Sequence, residues 1–491
     1  MLSQMKALSL AHRFKVLKSF SRSFSSPSAI SMNEYGARRS KLAEKIAQSC
    51  SSDRGSASHH LVIIPAAEIQ YSSIHVPYQF RQDSYFRYLT GITEPDAVLS
   101  LEIATKSSDI VHFTPRLFIE ERTSHDRLWD GPTMGVDVAA LTTGIQCTIP
   151  LKFFPEYLQM AMSDLSDSGC FFWFSTPFVV RSKAKAPVNR TIYSVVSDKF
   201  TGSRLVQSNL RNPNPLIDEL RLIKSQSELL LMKRAVELTS IALKKTLSSA
   251  YPGIREAELA ARFEFESTLM GCGLGYPAVV AGGNRANIIH YLKNSECVED
   301  GELVLMDVGC DVEGYTADIS RTWPINGHFS QHQRLLHDIL IQVQTDCQKA
   351  AHPESSLQKL YDLMVKRLVQ YLNEEKVLTA SDSESISVGS YICPHHIGHY
   401  LGLDVHDTSS ISYSQRFEPG MVFPLEPGIY FPAEGGKVAV AKEFRGMGLR
   451  LEDDYVFTTD GKAEKLNDCM PFKASDLESL IRSHSGQGSA L

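Results

Sequence analysis

Hydrophobic and polar residues follow different patterns along this chain of 491 residues, and the change of pattern divides it. Early in the chain, the apolar runs 61–64 and 97–103 predict strands separated by polar turns. The segment 209–215 contains two Asn-Pro steps, and because the residue before a proline disfavours helix, it predicts a linker. A first α/β domain is therefore expected over residues 34–212.

A longer and more regular pattern follows the predicted linker. Apolar residues recur at helical spacing on both sides of Ser225, and Ser225 with Glu228 forms a capping-type start for the second helix. A further helical segment from about Gln331 to Leu372 interrupts short strand-like runs and glycine-rich turns. One larger α/β (α+β) domain is expected over residues 213–480, with a tail over residues 481–491.

Composition narrows the class of protein. Hydrophobic residues make up 43% and charged residues 22%, the balance of a globular protein. The net charge of -6 is spread without a basic stripe, so nucleic acid is not an expected partner. No apolar run is long enough to predict a membrane span. The nine cysteines form no CxxC pair, which predicts buried free thiols in a reducing compartment.

The first 33 residues differ from the rest of the chain. They are rich in serine, contain no acidic residue, and include five basic residues, namely Lys6, Arg13, Lys15, Lys18 and Arg22. That composition predicts an organellar transit peptide over residues 1–33, with a disordered basic tail as the alternative. Its arginine content favours the mitochondrion. Met32 offers an internal start that would give a second, non-imported form.

The first chemical signal is a hairpin that carries two acids. Strand-like runs at 303–309 and 315–321 are joined by a short polar turn. Folding them about the middle of 312–313 places Asp307 directly opposite Asp318, with β-carbons about 4.5–5.5 Å apart. Facing carboxylates repel, so the hairpin predicts either a cation between them or a raised pKa. A solvated hairpin with outward-pointing acids is the alternative.

Histidines and further acids follow this hairpin. Four histidines lie within twelve residues: His395, His396, His399 and His406. Imidazole is a common neutral metal ligand and the acid/base group closest to neutral pH. Glu426 follows an apolar run, and Glu452 lies in an alternating stretch that puts Arg450, Glu452 and Asp454 on one face.

Counting charges turns these residues into a metal hypothesis. Four carboxylates bring four negative charges, namely those of Asp307, Asp318, Glu426 and Glu452. Two divalent cations balance these charges, and one does not. Oxygen-rich ligation with one imidazole suits Mn²⁺, with Co²⁺ and Zn²⁺ as alternatives. Two such ions, roughly 3.5–4 Å apart, share a bridging water and aim it at a carbonyl carbon. The set predicts hydrolysis with two divalent metal ions per chain.

These motifs resemble the metallopeptidases of aminopeptidase P and prolidase type, and most closely their mitochondrial Xaa-Pro aminopeptidase and intermediate cleaving peptidase branch. The resemblance also covers the first domain, through residues 81–86 and 129–132. It implies an N-terminal aminopeptidase-P-type domain followed by a pita-bread catalytic domain. It also implies a homo-oligomer, a dimer, in which Trp129 leans toward the site of a neighbouring subunit.

The resemblance assigns the metal ligands. Asp307 would chelate one metal ion, while His399 and Glu426 would hold the other. Asp318 and Glu452 would bridge the two ions.

It also assigns the groups on the substrate side. His290 would contact the peptide and stabilise developing charge, His406 would act at the scissile carbonyl, and His395 would line the same pocket. Tyr276 and Arg450 would lie beside the substrate, where Arg450 would orient the bridging carboxylate.

Two positions depart from the family pattern. Pro424 stands two residues before Glu426, where the family usually places a threonine, so altered metal affinity is expected. Tyr85 stands where bacterial relatives carry an acid, which affects how the first domain would recognise the substrate amine.

The implied roles predict an aminopeptidase that removes a single N-terminal residue through a metal-bridging hydroxide. Its substrates would be peptides or imported mitochondrial proteins after presequence cleavage, and its own run Arg22–Ser25 fits such processing. The motifs do not decide between bulky first residues and Xaa-Pro peptides. They also leave open an Xaa-Pro dipeptidase, a creatinase-like C–N hydrolase and a non-catalytic binding module, although the presence of all five ligands argues against the last.

Overall fold

The structure is a computed structural model that describes residues 30–50, 59–105, 111–164, 170–174, 192, 209–379 and 386–485. Residues 1–29 of the predicted transit peptide, which include the run Arg22–Ser25, lie outside these residues. The elements of the first domain are α1 (Met32–Cys50), β1 (His59–Pro65), β2 (Tyr71–Ser73), β3 (Val76–Pro77), α2 (Ser84–Thr90), β4 (Ala97–Thr105), β5 (Val111–Ile119), α3 (Ser124–Asp130), α4 (Gly135–Thr143), β6 (Cys147–Pro150), α5 (Phe154–Asp164), β7 (Cys170–Phe174) and β8 (Leu210–Arg211).

One mixed sheet organises this domain, with strand order β6-β5-β4-β1-β7-β8. Along β1, Val62 and Ile64 pack into the core that includes α1, whereas Leu61 and Ile63 pack into a second cluster with α5. Successive side chains of a strand point to opposite faces, so a sheet covered on both faces needs an unbroken apolar run. The two predicted strands are confirmed as β1 and β4.

The predicted linker at 209–215 is wrong. Leu210–Arg211 pairs with β7 at the edge of the sheet, and Pro215 lies in the first turn of helix α6 (Asn214–Leu222). Proline suits a first helical turn because its missing N–H would have no partner there. Helix α6 therefore connects the two domains directly.

The second domain contains the remaining elements. After α6 come α7 (Gln226–Ser248), α8 (Glu256–Leu269), β9 (Gly273–Leu274), β10 (Val279–Gly282), β11 (Leu303–Val308), β12 (Cys310–Val312), β13 (Tyr315–Thr316), β14 (Ile319–Pro324), α9 (Gln331–Ala350), α10 (Leu357–Glu374), α11 (Ile386–Ile392), β15 (Val422–Leu425), β16 (Gly428–Phe431), β17 (Met447–Arg450), β18 (Asp453–Phe457), β19 (Ala463–Lys465) and α12 (Ala474–Ser485). Its small sheets are β10-β11-β14, β13-β12-β9, β15-β18-β19 and β16-β17.

Capping chemistry sets the helix starts. The capping box of Ser225 and Glu228 is confirmed, since each side chain accepts a hydrogen bond from the backbone N–H of the other. The predicted helical segment 331–372 is two helices instead of one. Helix α9 ends before Pro353, and the Ser356 hydroxyl accepts a hydrogen bond from the first turn of α10.

The register of the acidic hairpin differs from the prediction. Its two-residue turn is Glu313-Gly314, with positive φ at both residues, 49° and 85°. A turn of this kind matches the twist of paired strands. The turn lies one residue later than expected, so Asp307 pairs with Ser320 and not with Asp318. Asp318 is instead the diagonal neighbour on the same face, because a shift of two residues preserves the face.

Both terminal boundaries fall inside helices. The predicted boundary between residues 33 and 34 lies in the first turn of α1. The predicted tail is wrong over residues 481–485, because α12 continues to Ser485 and Ile481 is buried.

Cysteine exposure corrects another expectation. Five of the cysteines are buried free thiols as predicted, but three are exposed because they lie on an edge strand or in surface loops: Cys147, Cys297 and Cys469. Among the residues that the structure describes, no helix is both long and apolar enough to cross a membrane.

Candidate metal centre

The two acids of the hairpin meet through a tyrosine. Asp307 lies on β11, and Asp318 lies between β13 and β14. The Tyr276 hydroxyl lies 2.7 Å from Asp307 Oδ1 and 2.5 Å from Asp318 Oδ1. Tyr276 itself follows β9, whose pairing with β12 brings it to the hairpin. The pair of carboxylates predicted from the sequence is therefore present, although by a diagonal contact.

Asp318, His399 and Glu452 form the closest group of potential ligands. One ligand atom from each lies within 4.8 Å of the others, and all three side chains are buried. His399 Nδ1 lies 3.1 Å from the Tyr400 carbonyl, which leaves Nε2 facing Asp318 Oδ2 at 3.3 Å. Glu426 completes the group, with Oε1 3.8 Å from the same Nε2.

Arg450 organises the other side of the centre. Its guanidinium lies 2.6 Å from Asp307 Oδ2 and donates to the Ser320 hydroxyl at 2.9 Å. Ser320 in turn donates to Glu452 Oε2 at 2.6 Å. Arg450 therefore holds Asp307 directly, and it acts on Glu452 mainly through Ser320. The sequence reasoning missed Ser320, which a correct register would have identified as the partner of Asp307.

Tyr430 is a second residue that the sequence reasoning missed. Its hydroxyl accepts from Arg450 at 2.7 Å and lies 2.9 Å from His395 Nε2. The other ring nitrogen of His395 lies 3.5 Å from Glu426 Oε2. His395 thus lies between the arginine network and a candidate ligand. No sequence motif identified Tyr430, because its role depends on Arg450 and His395, which lie elsewhere in the chain.

The remaining histidines separate into two groups. The His406 ring lies 4.5 Å from that of His399, and His406 and His290 are both exposed at the mouth of the centre. His396 faces away from the centre and stacks on Tyr361 at 4.8 Å. Only three of the four clustered histidines therefore lie at the centre.

The acidic run after Glu452 is buried rather than solvated. Asp453 pairs with Arg321 at 2.5 Å, and Asp454 Oδ2 accepts the Asp318 backbone N–H at 2.9 Å. Pro424 lies directly opposite Asp454 on the neighbouring strand, and Asp454 Oδ1 has no hydrogen-bond partner among the described residues. A threonine hydroxyl at 424 would stand next to that oxygen, which gives a physical basis to the expected effect of Pro424.

A buried ion network holds the loop that carries His406. Asp407 is buried, its N–H donates to the Tyr400 carbonyl at 2.9 Å, and its carboxylate accepts from Arg221 and Lys224. Arg221 lies on α6, which connects the domains. From the first domain, the Ser84 hydroxyl donates to Asp404 of the same loop at 2.7 Å.

Electrostatics show why this set requires cations. Burial, and then repulsion from Asp307, raise the pKa of Asp318; burial and the Asp318 charge raise the pKa of Glu452 well above its ordinary value. Burial raises the pKa of Glu426 to about 7 despite attraction from His399 and Arg450. Carboxylates packed so closely without a compensating charge hold protons. Oxygen donors with one imidazole fit divalent cations, and such ions would replace those protons.

Comparison with known proteins agrees with this geometry. Residues 230–459 match the metallopeptidase family M24, and residues 35–168 match the aminopeptidase P N-terminal domain. Xaa-Pro aminopeptidase 3 of Rattus norvegicus is 36% identical over 453 residues, which cover 92% of this chain and 86% of the rat protein. The mitochondrial intermediate cleaving peptidase 55 of Arabidopsis thaliana is 32% identical over 464 residues, covering 94% of this chain and 85% of that protein.

A solved structure shows the same similarity to aminopeptidase P. The low-pH form of aminopeptidase P from E. coli matches with a TM-score of 0.80 and 29% identity, over 93% of this chain and 100% of that chain. The chain belongs to metallopeptidase family M24 and has the two-domain aminopeptidase P fold, with an N-terminal domain and a pita-bread domain. It is therefore a hydrolase that acts on peptide bonds, with aminopeptidase P-type activity, in a family that uses divalent metal ions.

Metal binding should release protons. Burial lowers the pKa of His399, but the Asp318 hydrogen bond and the Glu426 charge outweigh it and raise that pKa to about 9. Without metal, His399 therefore carries a proton at pH 7, and a ligand nitrogen must lose it. We expect the apparent affinity for Mn²⁺ to rise between pH 6 and pH 9, about tenfold per pH unit for each proton released.

Calorimetric titration of metal-free protein in buffers of different ionisation enthalpy measures that release. An affinity that does not change with pH, with no protons released, would contradict a site at His399.

Proposed function

We propose that this protein is a dinuclear-metal aminopeptidase that removes one N-terminal residue from peptides, or from imported mitochondrial proteins after presequence cleavage. The observation that carries the proposal is the buried group of Asp318, His399 and Glu452, bordered by Asp307 and Glu426. The name of the Arabidopsis peptidase above supports the mitochondrial interpretation, and intermediate cleaving peptidase 55 of Saccharomyces cerevisiae supports the processing role by its name. Localisation to the mitochondrion belongs to the same proposal.

The ligand roles are part of this proposal. Asp307 is assigned to one ion, His399 and Glu426 to the other, and Asp318 and Glu452 to both. Their contacts support this division, because the Tyr276 hydroxyl bonds Asp318 and Asp307 while His399 Nε2 faces Asp318 and Glu426. When bound, two divalent ions, with Mn²⁺ the best match to these donors, would supply an activated water and polarise the scissile carbonyl.

The surrounding side chains position the substrate and manage its protons. Although part of the His406 ring is exposed, neighbouring atoms desolvate the rest of it; this desolvation, and then the nearby His399, lower the pKa of His406 to about 4, so its imidazole is neutral at pH 7. A neutral imidazole at the mouth of the centre can donate a hydrogen bond to the scissile carbonyl as charge develops. His290 lies at the same mouth, and Tyr276 and Arg450 line the carboxylate side.

A cavity of about 330 Å³ lies next to His406 and is lined by His406 together with Gln358, Ser412 and Tyr413, among others. We assign it to the part of a bound peptide that lies beside His406.

The metal assignment predicts a clear effect of Asp318→Asn. An amide of the same shape leaves the hairpin folded but removes a bridging charge, so we expect turnover to be lost and metal content to fall below two ions per chain. Metal analysis by mass spectrometry, with peptide hydrolysis, tests this. Glu313→Gln, at the exposed turn of the same hairpin, is the control and should keep both. Undiminished metal and activity in Asp318→Asn would exclude the role.

His406→Ala should affect rate more than metal content. Loss of a positioned charge-stabilising group costs about 10²–10⁴ in rate, whereas the five proposed ligands remain. Steady-state kinetics on metal-loaded protein measures kcat, and His396→Ala is the matched control because that ring packs on Tyr361 away from the centre. A near-normal kcat in His406→Ala with full metal occupancy would contradict the role.

The substrate class is tested with paired peptides. One set begins with a bulky residue followed by serine, as in the run Phe24-Ser25, and the other begins with the same residue followed by proline. For an intermediate cleaving peptidase we expect a higher kcat/KM on the first set, with release of a single residue, measured by mass spectrometry. A strong preference for the proline set would favour an Xaa-Pro aminopeptidase, and release of dipeptides would exclude both.

A further inference from the structure

Two cysteines outside the candidate metal centre lie next to each other. Strand β9 pairs with β12 so that Leu274 is opposite Cys310. Cys272 precedes Leu274 by two residues and therefore projects from the same face, as a diagonal neighbour of Cys310. The two thiols lie close enough to influence each other's ionisation, and neither is in a disulfide.

The two sulfurs differ in their exposure to solvent. Cys310 is fully buried, with its sulfur 3.4 Å from the Ser267 hydroxyl, while Cys272 is 8% exposed. Cys272 is therefore the sulfur of the pair that solvent can reach, and Cys310 lies directly behind it.

The pair is linked to the metal centre by a short, tightly packed segment. Gly275 donates its N–H to the Gly309 carbonyl at 2.8 Å, and a β-carbon at Gly275 would lie 1.9 Å from the Thr316 hydroxyl. The next residue is Tyr276, whose hydroxyl bonds Asp307 and Asp318. The segment therefore has little room to move without moving Tyr276.

We propose that Cys272 and Cys310 form a reversible disulfide in the presence of a peroxide, and that this bond lowers peptide hydrolysis by displacing Tyr276. One thiolate of the pair attacks one oxygen of hydrogen peroxide: a sulfur–oxygen bond forms, the oxygen–oxygen bond breaks, and the hydroxide that leaves takes up a proton. The other thiol then attacks that sulfur: the disulfide forms, and the sulfenic oxygen leaves as water with the proton of the attacking thiol. Two thiols are oxidised by two electrons, and the peroxide is reduced to two waters.

The displacement of Tyr276 follows from the short distance that a disulfide can span. Diagonal neighbours on paired strands have Cα atoms about 7–8 Å apart, whereas disulfides join Cα atoms at roughly 4.4–6.8 Å. Closing the bond must therefore draw the segment before Tyr276 toward β12. Displacement of a group that positions two carboxylates by about 1 Å can reduce the rate up to about 10²-fold.

The test uses the full chain, reduced and loaded with Mn²⁺, and treats it with increasing hydrogen peroxide. We expect a mass loss of two hydrogen atoms, a cross-linked pair of peptides that contain Cys272 and Cys310, and a fall in hydrolysis that dithiothreitol reverses. The Cys297→Ser variant, which removes an exposed thiol, should respond as the parent does. The Cys272→Ser variant should keep its activity before treatment and lose the reversible inhibition.

Three outcomes would overturn the proposal. The first is that Cys272 and Cys310 remain alkylatable after the exposed cysteines have been oxidised. The second is that the cross-link forms without a change in hydrolysis, and the third is that Cys272→Ser is inhibited reversibly to the same extent as the parent. Peptide mapping of the cross-link needs no substrate, so its result is independent of the substrate class proposed above.

Discussion

Mutual repulsion among buried carboxylates is the constraint on which the rest of the structure depends. Asp318, Glu452 and Asp454 are each at most 5% exposed, and Glu426 lies beside them. Burying several like charges is unfavourable unless opposite charge enters with them. Arg450 supplies one positive charge beside Asp307, and protonated His399 supplies a second, which together do not balance the whole group. The fold therefore provides the geometry, and divalent ions would complete its charge balance.

Much of this arrangement follows from the sequence alone. The unbroken apolar run of β1, the capping box at Ser225, and the grouping of the four acids all rest on local patterns or on charge counting, whereas the choice of His399 among four histidines rests on the family resemblance. Predictions of this kind remain correct when the position of a turn is wrong by a residue or two. An error of two residues in register, for example, left Asp318 on the correct face of the hairpin.

Other features depend on contacts that local patterns do not contain. The turn at Glu313-Gly314 could have been chosen from the preference of two-residue turns for glycine at positive φ, and the start of α6 from the preference of proline for a first helical turn. Tyr430 and Asp407 had no such signal. Their roles arise from Arg450 and Arg221, which are distant in the chain, so only the tertiary structure reveals them.

The bracing of the His406 loop has a consequence for how the two domains can be separated. Arg221 on the connecting helix binds Asp407, and Ser84 and Arg81 of the first domain bind Asp404 and the Leu403 carbonyl. The first domain therefore helps to hold the loop that carries His406 beside the candidate metal centre. An isolated second domain could keep every proposed metal ligand and still place His406 poorly. Natural variation at the surface between the domains is accordingly expected to alter turnover while leaving metal content unchanged.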